Sequence, residues 1–451
     1  MPKSPRSGSI RSGSTPLAHA PHSTTDSRPA TPAARPRAMR RMAWLLGPAL
    51  VAGVAYLDPG NVASNMTAGA RFGYLLVWVV VLGNVMAWLI QYLSAKLGIV
   101  TGRSLAETLG TRIRRPWARR AYWLQAELVA MATDVAEVIG GAVALWLLFD
   151  VPLLWGGLIT GTVSLALLLV QQRRGARSFE FVVIGLMAII AIGFTYGVVA
   201  APPSPAGVVG GLLPRFEGTE SVLLAASILG ATIMPHAIYA HSALARDRFR
   251  PGGPGDLPAH DDHTSTRSTT RLLRATRWDV TIALAIAGTV NLCILLLAAS
   301  ALGGVPGTDS LEGAYAALHD GLGVVVATLF AVGLLASGLA STAVGAYAGA
   351  EIMHGLLHVR VPLLARRLVT LVPALAILAV GVDPTLALVL SQVVLSFGIP
   401  FALVPLVRLT ARRDVLGPFR NRRLTTVAGI VASAFLITLN AVLLWLVLTG
   451  G

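Results

Sequence analysis

Two short motifs in this sequence place candidate metal ligands beside residues that break helices. They are residues 58–61, which read DPGN, and residues 234–236, which read MPH. Asp58 and Asn61 offer a carboxylate and an amide oxygen, and a purely oxygen ligand set suits Ca²⁺ or Mg²⁺. Met234 adds a thioether, and a soft sulfur ligand shifts the preference toward Mn²⁺, Fe²⁺, Co²⁺ or Cd²⁺. The two motifs together predict a site for a divalent transition-metal ion.

Both motifs interrupt apolar segments of the chain. Proline removes a backbone N–H group and glycine frees the backbone, so each motif is expected to end a regular helix. Irregular backbone at membrane depth is tolerated only where it is buried in protein or lines a cavity. The carbonyl groups of Ala55 and Ala231 lie about one helical turn before the two breaks. We therefore expect both carbonyls to be available as further ligands.

Each candidate in these segments also has a simpler interpretation. Met234 can be a core residue that fills a gap. Asp58 can be only a helix cap, although a carboxylate inside a membrane is costly and functional by default. His236 can relay a proton, because imidazole titrates near neutral pH, or it can be a packing histidine. His241 is a candidate for a cytoplasmic gate, or it faces polar neighbours. Gln392 is a candidate ligand in the inward-closed state, or an amide that bonds across helices.

The third apolar segment carries three acidic residues on one helical face. Glu127, Asp134 and Glu137 are spaced i, i+7 and i+10, which aligns them along about 15 Å of helix. Acidic side chains inside a membrane need nearby cations, and Arg366 and Arg367 of the ninth segment are the candidates. The stripe predicts a proton relay, and a static salt-bridge network that holds helices together is the alternative.

Composition and patterning place these residues in an all-α polytopic membrane protein. Of the 451 residues, 55% are hydrophobic and 13% are charged, against about 25% charged in soluble domains, and the mean hydropathy is +0.70. The single cysteine, Cys293, excludes a disulfide framework and a thiolate metal cluster within one chain. The apolar residues form eleven segments of membrane-spanning character. These segments cover residues 43–70, 74–99, 119–148, 153–172, 178–200, 221–245, 278–302, 322–356, 363–381, 385–408 and 425–449.

The charged residues predict the orientation of these segments. The formal net charge of +15 comes largely from arginines in the tail and in alternate loops, all on one side. It therefore indicates membrane orientation rather than nucleic-acid binding. The N-terminus is then cytoplasmic and the C-terminus external, which requires an odd number of spans, as counted.

The positions of the breaks predict the domain organisation. Breaks in segments one and six are typical of a five-plus-five inverted repeat, in which two discontinuous helices meet at a midplane site. The predicted divisions are a disordered basic cytoplasmic tail (1–42), a first repeat (43–200), an external loop (201–220), a second repeat (221–408) containing a flexible cytoplasmic loop (249–270), and a cytoplasmic loop with an eleventh helix (409–451). In the flexible loop, His260, Asp261, Asp262 and His263 can be read as a metal site, but such loop side chains are usually solvated.

Other functional classes have less support. The sequence lacks a phosphate-cradling loop, a zinc-protease motif and a nucleophile elbow, so we expect neither an ATP-driven pump nor an enzyme. An ion-coupled amino-acid transporter of the same architecture is the main alternative. Its broken helix would offer free N–H groups to a substrate carboxylate, which Asp58 would repel. A cation channel would need a filter-like repeat, which the sequence lacks.

The two motifs together resemble those of the Nramp family of proton-coupled divalent-metal transporters, and the resemblance covers nearly the whole chain from about residue 40. It implies a LeuT-type fold, alternating access, and import of Mn²⁺, Fe²⁺ and similar ions with protons across the plasma membrane. The implied metal ligands are Asp58, Asn61, Met234 and the carbonyl of Ala231, joined in some states by the carbonyl of Ala55 and by Gln392. The implied proton route comprises Asp134, Glu137, Arg366, Arg367 and Glu127, to which we add Asp58 and His236.

The resemblance also bears on selectivity and partners. Relatives that carry Mg²⁺ or Al³⁺ lack the methionine, which is present here as Met234. We expect no cofactor beyond the transported ions, no nucleic-acid partner, and a chain that functions as a monomer in the lipid bilayer.

Overall fold

The computed structural model describes residues 49, 52–53, 55–174, 176–249, 262–359 and 361–450. The predicted tail (1–42) lies outside this part of the chain, as do His260 and Asp261. For Asp262 and His263 only the backbone is described. The possible metal site at 260–263 is therefore outside the structural description.

The described residues form α-helices and two short 3₁₀ turns, and they contain no β-strand. The helices are α1 (Pro59–Phe72), α2 (Val77–Thr101), α3 (Leu105–Arg112), α4 (Pro116–Phe149), α5 (Leu153–Arg174), α6 (Ala176–Ala200), α7 (Pro205–Gly210), α8 (Gly218–Ile233), α9 (Pro235–Phe249), α10 (Asp262–Ala301), α11 (Leu311–Leu322), α12 (Val324–Leu357), α13 (Leu363–Val380), α14 (Pro384–Ala411), α15 (Arg413–Leu416) and α16 (Arg423–Thr449). The 3₁₀ turns are Ala55–Leu57 and Gly417–Phe419.

The long helices coincide with the apolar segments expected from the sequence. Within the described residues, seven helical stretches are long and apolar enough to cross a membrane: α2, α4, α8 together with α9, most of α10, α12, α14 and α16. Helices α5 and α6 contain shorter apolar stretches. Helix α1 covers the second half of the first segment, and α13 covers most of the ninth. The prediction of an all-α polytopic membrane protein is confirmed.

Both predicted helix breaks are present. In the first segment, the 3₁₀ turn Ala55–Leu57 ends at Asp58, and α1 starts at Pro59. In the sixth segment, α8 ends at Ile233, and Met234 adopts a non-helical backbone (φ −2°, ψ 110°) before α9 starts at Pro235. Proline suits the first position of each new helix because its missing N–H would have had no helical partner there.

Glycines allow neighbouring helices to approach the breaks closely. A Cβ atom at Gly140 of α4 would overlap the ring of Pro59, and one at Gly230 of α8 would overlap the backbone carbonyl of Gln392 in α14. Small residues at such contacts let helix backbones pack closely inside a membrane. Helices α4 and α14 are thereby held directly against the two broken segments.

Two predicted loops contain helix. The seventh segment was expected to begin at 278, but α10 begins at Asp262, so the last part of the predicted flexible loop 249–270 is helical. The predicted external loop 201–220 contains α7 and the first residues of α8. A search for apolar segments identifies only what can lie in a bilayer, whereas leucine, arginine and alanine also favour helix in polar stretches such as 271–277.

Candidate metal site and the acid–arginine network

Asp58 lies at the N-terminus of α1, where both of its carboxylate oxygens accept hydrogen bonds. The backbone N–H of Asn61 donates to Oδ1 at 2.8 Å, and the Asn61 amide Nδ2 donates to the same oxygen at 3.2 Å. Gln392 Nε2 donates to Oδ2 at 3.1 Å. Asp58 is therefore a helix cap, as the simpler interpretation held, but its second oxygen faces a side chain from α14. All three residues are fully buried.

Asn61 joins the two broken segments. Its Nδ2 donates to the carbonyl oxygen of Ala231 at 2.9 Å, so the predicted carbonyl lies beside the Asp58 carboxylate. In the described part of the chain, neither Asn61 Oδ1 nor Gln392 Oε1 has a hydrogen-bond partner. A buried acceptor without a partner costs about 1–3 kcal/mol. A bound cation would satisfy both oxygens, and no cationic side chain is hydrogen-bonded to this cluster in the described residues.

Met234 and Ala55, the remaining predicted ligands from the breaks, lie in the irregular backbone itself. Met234 is fully buried at the junction between α8 and α9, and Ala55 is the first residue of the buried 3₁₀ turn. The described residues contain no group of three or more histidine, cysteine, aspartate or glutamate side chains that could hold a metal ion. A metal at this site would therefore rely on one carboxylate, amide and carbonyl oxygens, and the methionine sulfur.

The acid stripe of α4 is paired with the two arginines of α13. Arg366 contacts Glu127 Oε1 at 3.0 Å and Asp134 Oδ2 at 3.3 Å. Arg367 Nη1 contacts Asp134 Oδ1 at 2.7 Å and Glu137 Oε2 at 3.0 Å. All five side chains are buried. We call these five residues the acid–arginine network; its three carboxylates exceed its two guanidinium groups by one formal negative charge.

His236 lies between the metal site and this network. It is the second residue of α9, and its Nδ1 lies 3.2 Å from Thr133 Oγ1. Thr133 directly precedes Asp134 in α4. The structure thus brings His236 beside the middle of the acid stripe, one residue from Asp134.

Comparison with known proteins identifies the family. The profile described as "Natural resistance-associated macrophage protein-like" (Nramp) matches residues 49–446. The chain belongs to the Nramp family.

Relatives support this assignment across nearly the whole chain. A divalent metal cation transporter MntH of Mycobacterium tuberculosis is 61% identical over 407 residues, which are 90% of this chain and 92% of that protein. The crystal structure of a mutant of the Eremococcus coleocola manganese transporter is 33% identical, with a TM-score of 0.78, and the match covers 91% of this chain and 88% of that chain. MHP1, a nucleobase-cation-symport-1 family transporter, is 14% identical with a TM-score of 0.52 over 90% of this chain and 93% of its own, which shows a shared fold alone.

His241 of this Nramp chain lies in a closed cleft between α9, α2, α10 and the first segment. Its Nδ1 is 2.7 Å from Gln91 Oε1, and the side chain is fully buried. Tyr56 and Ala283 are among the residues around it, and the cleft has no room for a water molecule. The predicted gate residue therefore lies where the two broken segments face α2, and it is hydrogen-bonded to one polar neighbour.

Several polar residues that form hydrogen bonds around the first break were not predicted from the sequence. Asn291 Nδ2 donates to the carbonyl of Tyr56 at 3.0 Å, and Ser337 Oγ donates to the carbonyl of Leu57. These bonds satisfy carbonyls that the first break leaves without helical partners. The only signal in the sequence was that each donor, like Gln91 and Thr133, is a polar residue within an apolar segment.

Proposed function

We propose that this Nramp protein imports divalent transition-metal ions, including Mn²⁺ and Fe²⁺, across the plasma membrane together with protons and by alternating access. The observation that carries the proposal is the pair of unpartnered oxygens, Asn61 Oδ1 and Gln392 Oε1, beside the Asp58 carboxylate. Such a cluster lacks a positive charge and offers hard ligands on three sides. A divalent cation supplies the charge that the site lacks.

Asp58, Asn61, Met234 and the Ala231 carbonyl are proposed as the principal ligands. Gln392 now donates to Asp58, so a metal on that carboxylate would displace the amide N–H and favour the oxygen of the same amide. Gln392 is thus proposed as a ligand of the closed state, with the Ala55 carbonyl joining in other states. Met234 supplies the soft ligand that favours transition metals over Ca²⁺.

Asp58, His236 and the acid–arginine network are proposed as the proton route. One carboxylate of the network can take up a proton and thereby balance the excess negative charge, while the ion pairs to Arg366 and Arg367 keep the side chains in place. His236, which contacts Thr133, connects the region of the metal to Asp134. A membrane potential contributes about 2.3 kcal/mol per charge per 100 mV, so it drives two metal charges and a proton strongly inward.

The proposed cytoplasmic gate is the cleft around His241. Release of a metal ion toward the cytoplasm requires an open path between α9 and the first segment, and this path contains the hydrogen bond from His241 to Gln91. In the closed state this contact retains the ion. The proposal includes a cytoplasmic N-terminus, an external C-terminus and a functional monomer.

Two features distinguish this proposal from an amino-acid transporter on the same fold. At the first break, the backbone N–H of Asn61, which a substrate carboxylate would seek, already donates to Asp58. The Asp58 carboxylate would also repel a carboxylate substrate. The fold does not select between the substrates, because MHP1 shares it at low sequence identity.

The test is uptake of Mn²⁺ and of Ca²⁺ into proteoliposomes at a fixed inside-negative potential. Wild-type protein is expected to give saturable Mn²⁺ uptake and to exclude Ca²⁺, whereas Met234→Ala is expected to admit Ca²⁺. Met66→Ala, which removes another buried methionine from α1, is the matched control and should keep the wild-type selectivity. Absence of Mn²⁺ uptake by the wild type would overturn the proposal and direct attention to amino-acid substrates.

A further inference from the structure

A largely apolar groove of about 590 Å³ lies on the outer surface of the helical bundle, separate from the metal site. Helix α2 contributes Trp78 and Val85 to its lining, the connection between α7 and α8 contributes Arg215 and Phe216, and α16 contributes Phe435. From Trp78 to Val85 the groove follows about 10 Å of helix. Its dimensions suit an extended hydrocarbon chain.

Aromatic contacts fix the walls of the groove. The Trp78 ring makes edge-to-face contacts with Phe216 and Phe435, with centroids 5.4 Å and 6.4 Å apart. The Trp78 indole N–H donates to the carbonyl oxygen of Arg215 at 3.3 Å. The groove is therefore formed before any ligand arrives, and the backbone at its charged end is anchored to α2.

Helix α7 and the connection that follows it present apolar side chains outward. Val209, Leu213 and Phe216 are 66%, 64% and 40% exposed. Contiguous exposed apolar side chains mark a surface that contacts a partner or a membrane, and amphipathic segments of this kind lie in the interface plane of a bilayer. Arg215 lies between Leu213 and Phe216, in the segment that would lie at this interface.

A basic side chain that lines the groove lies near an acidic one: Arg215 is in the lining, and Glu217 follows Phe216 directly in the chain. Arg215 Nε is 4.0 Å from Glu217 Oε1, and both side chains are more than half exposed. An ion pair this long and this exposed contributes little stability, so both groups remain able to bind other charges. A guanidinium group binds phosphate oxygens through two parallel N–H donors, and a carboxylate accepts from a primary ammonium group.

We propose that this groove binds a phospholipid whose headgroup carries a phosphate and a primary ammonium, as in phosphatidylethanolamine. One acyl chain lies along α2 between Trp78 and Val85, the phosphate accepts from Arg215, and the ammonium donates to Glu217. A purely anionic headgroup would leave Glu217 without a partner and close to a like charge. A quaternary ammonium would offer it no N–H donor.

The test measures lipid binding to the purified full-length protein by native mass spectrometry. Phosphatidylethanolamine, phosphatidylglycerol and phosphatidylcholine with identical acyl chains are titrated separately after delipidation. Phosphatidylethanolamine is expected to bind the wild type about 5-fold more tightly than either of the others, as one added ion pair of about 1 kcal/mol would give. Equal binding of the three lipids would overturn the headgroup assignment.

Variants then separate the two parts of the site. Glu217→Gln should abolish the preference for phosphatidylethanolamine. Arg215→Gln should weaken the binding of all three lipids, whereas the exposed control Arg420→Gln should not. Val85→Trp should fill the groove and reduce binding of all three lipids. Ile430→Trp, which places the same ring at an exposed position on another face of α16, should not. Thermal unfolding confirms that each variant is folded. Unchanged binding to Val85→Trp, or an unchanged preference in Glu217→Gln, would contradict the proposal.

Discussion

The candidate metal site and the acid–arginine network are both buried and each carries one formal negative charge, yet they differ in how that charge is held. In the metal site, Asp58 accepts only from backbone and amide N–H groups, and two neighbouring amide oxygens have no hydrogen-bond partner. In the network, three carboxylates share two guanidinium groups. One region lacks a cation, whereas the other contains its own.

Under the proposed function, this difference would keep the metal ion and the proton in separate regions. A divalent cation beside Asp58 would exceed the single negative charge of its carboxylate. It would also bind the amide oxygens of Asn61 and Gln392, which have no hydrogen-bond partner. A proton in the network would bring it to neutrality with no new ligand and little movement. The open site suits a charged substrate that must arrive and leave, and the paired network suits a proton whose passage leaves the framework intact.

The largest expected change is the loss of stability when one arginine is removed from the acid–arginine network. Arg367→Ala leaves Asp134 and Glu137 without their shared guanidinium group. Loss of one partner of a buried ion pair costs about 3–5 kcal/mol, so thermal unfolding in detergent should occur at a much lower temperature. Arg420→Ala, at an exposed position, should unfold like the wild type. Equal unfolding temperatures for the two variants would mean that the network does not hold the helices together.

The next largest expected change is a loss of Mn²⁺ affinity when the charge of Asp58 is removed. Asp58→Asn keeps the shape of the side chain but removes the anionic ligand. Loss of an outer partner of a metal ligand alone typically lowers metal affinity about 10- to 100-fold, so loss of the anionic ligand should lower Mn²⁺ affinity, measured by titration calorimetry, by at least about 10-fold. Asp383→Asn is a matched control, because Asp383 also caps a helix that starts with proline and accepts from Leu386 N–H at 2.6 Å. If both variants bind Mn²⁺ equally well, Asp58 is only a cap.

A smaller effect should follow from crowding the network without changing its charge. A Cβ atom at Gly349 would overlap the Arg366 guanidinium group, and such overpacking typically costs about 1–3 kcal/mol. Gly349→Ala should therefore lower the unfolding temperature and alter the pH dependence of Mn²⁺ uptake. Gly185→Ala, where a Cβ meets nothing within 4 Å, is the control. Indistinguishable behaviour of the two alanine variants would argue against a fixed position of Arg366.

The smallest expected change in stability concerns Glu107 of α3, which lies outside the membrane-spanning segments. Burial raises the pKa of Glu107, but hydrogen bonds from Ser104 and from Arg246 outweigh it, and the net pKa is below its usual value. A depressed carboxyl pKa stabilises the fold above the unfolded-state pKa of about 4.3, and this contribution is lost as the pH falls through the folded-state value. Glu107→Gln should lower the unfolding temperature slightly at pH 7, and the difference should vanish in acid.

The pKa of Glu312 is shifted in the direction opposite to that of Glu107. Burial raises the pKa of this carboxyl group at the start of α11, so its ionisation opposes folding at neutral pH. Glu312→Gln should therefore leave the unfolding temperature unchanged or raise it slightly at pH 7. A loss of stability in Glu312→Gln equal to that in Glu107→Gln would show that the two substitutions act by some route other than charge.

Local sequence signals determined the membrane class, the positions of the helices and both breaks. Only a helix satisfies the backbone groups of a long apolar run in a bilayer, and a proline follows each break. Proline alone does not decide a break, because Pro373, Pro400 and Pro405 lie inside α13 and α14. The acid stripe of α4 was equally accessible, because residues 127, 134 and 137 share a face of any helix. The start of α10 at Asp262 was missed because helix formation does not require apolar residues.

Only the tertiary structure decided which distant groups meet. Gln392 reaches Asp58 across 334 residues, Asn61 reaches the carbonyl of Ala231 across 170, and Arg367 reaches Asp134 across 233. Nothing local to these residues specifies their partners, since each contact depends on how whole helices pack. For the same reason, the unpartnered oxygens of Asn61 and Gln392 could not be foreseen. A polar atom lacks a partner only after every neighbouring helix has been placed around it.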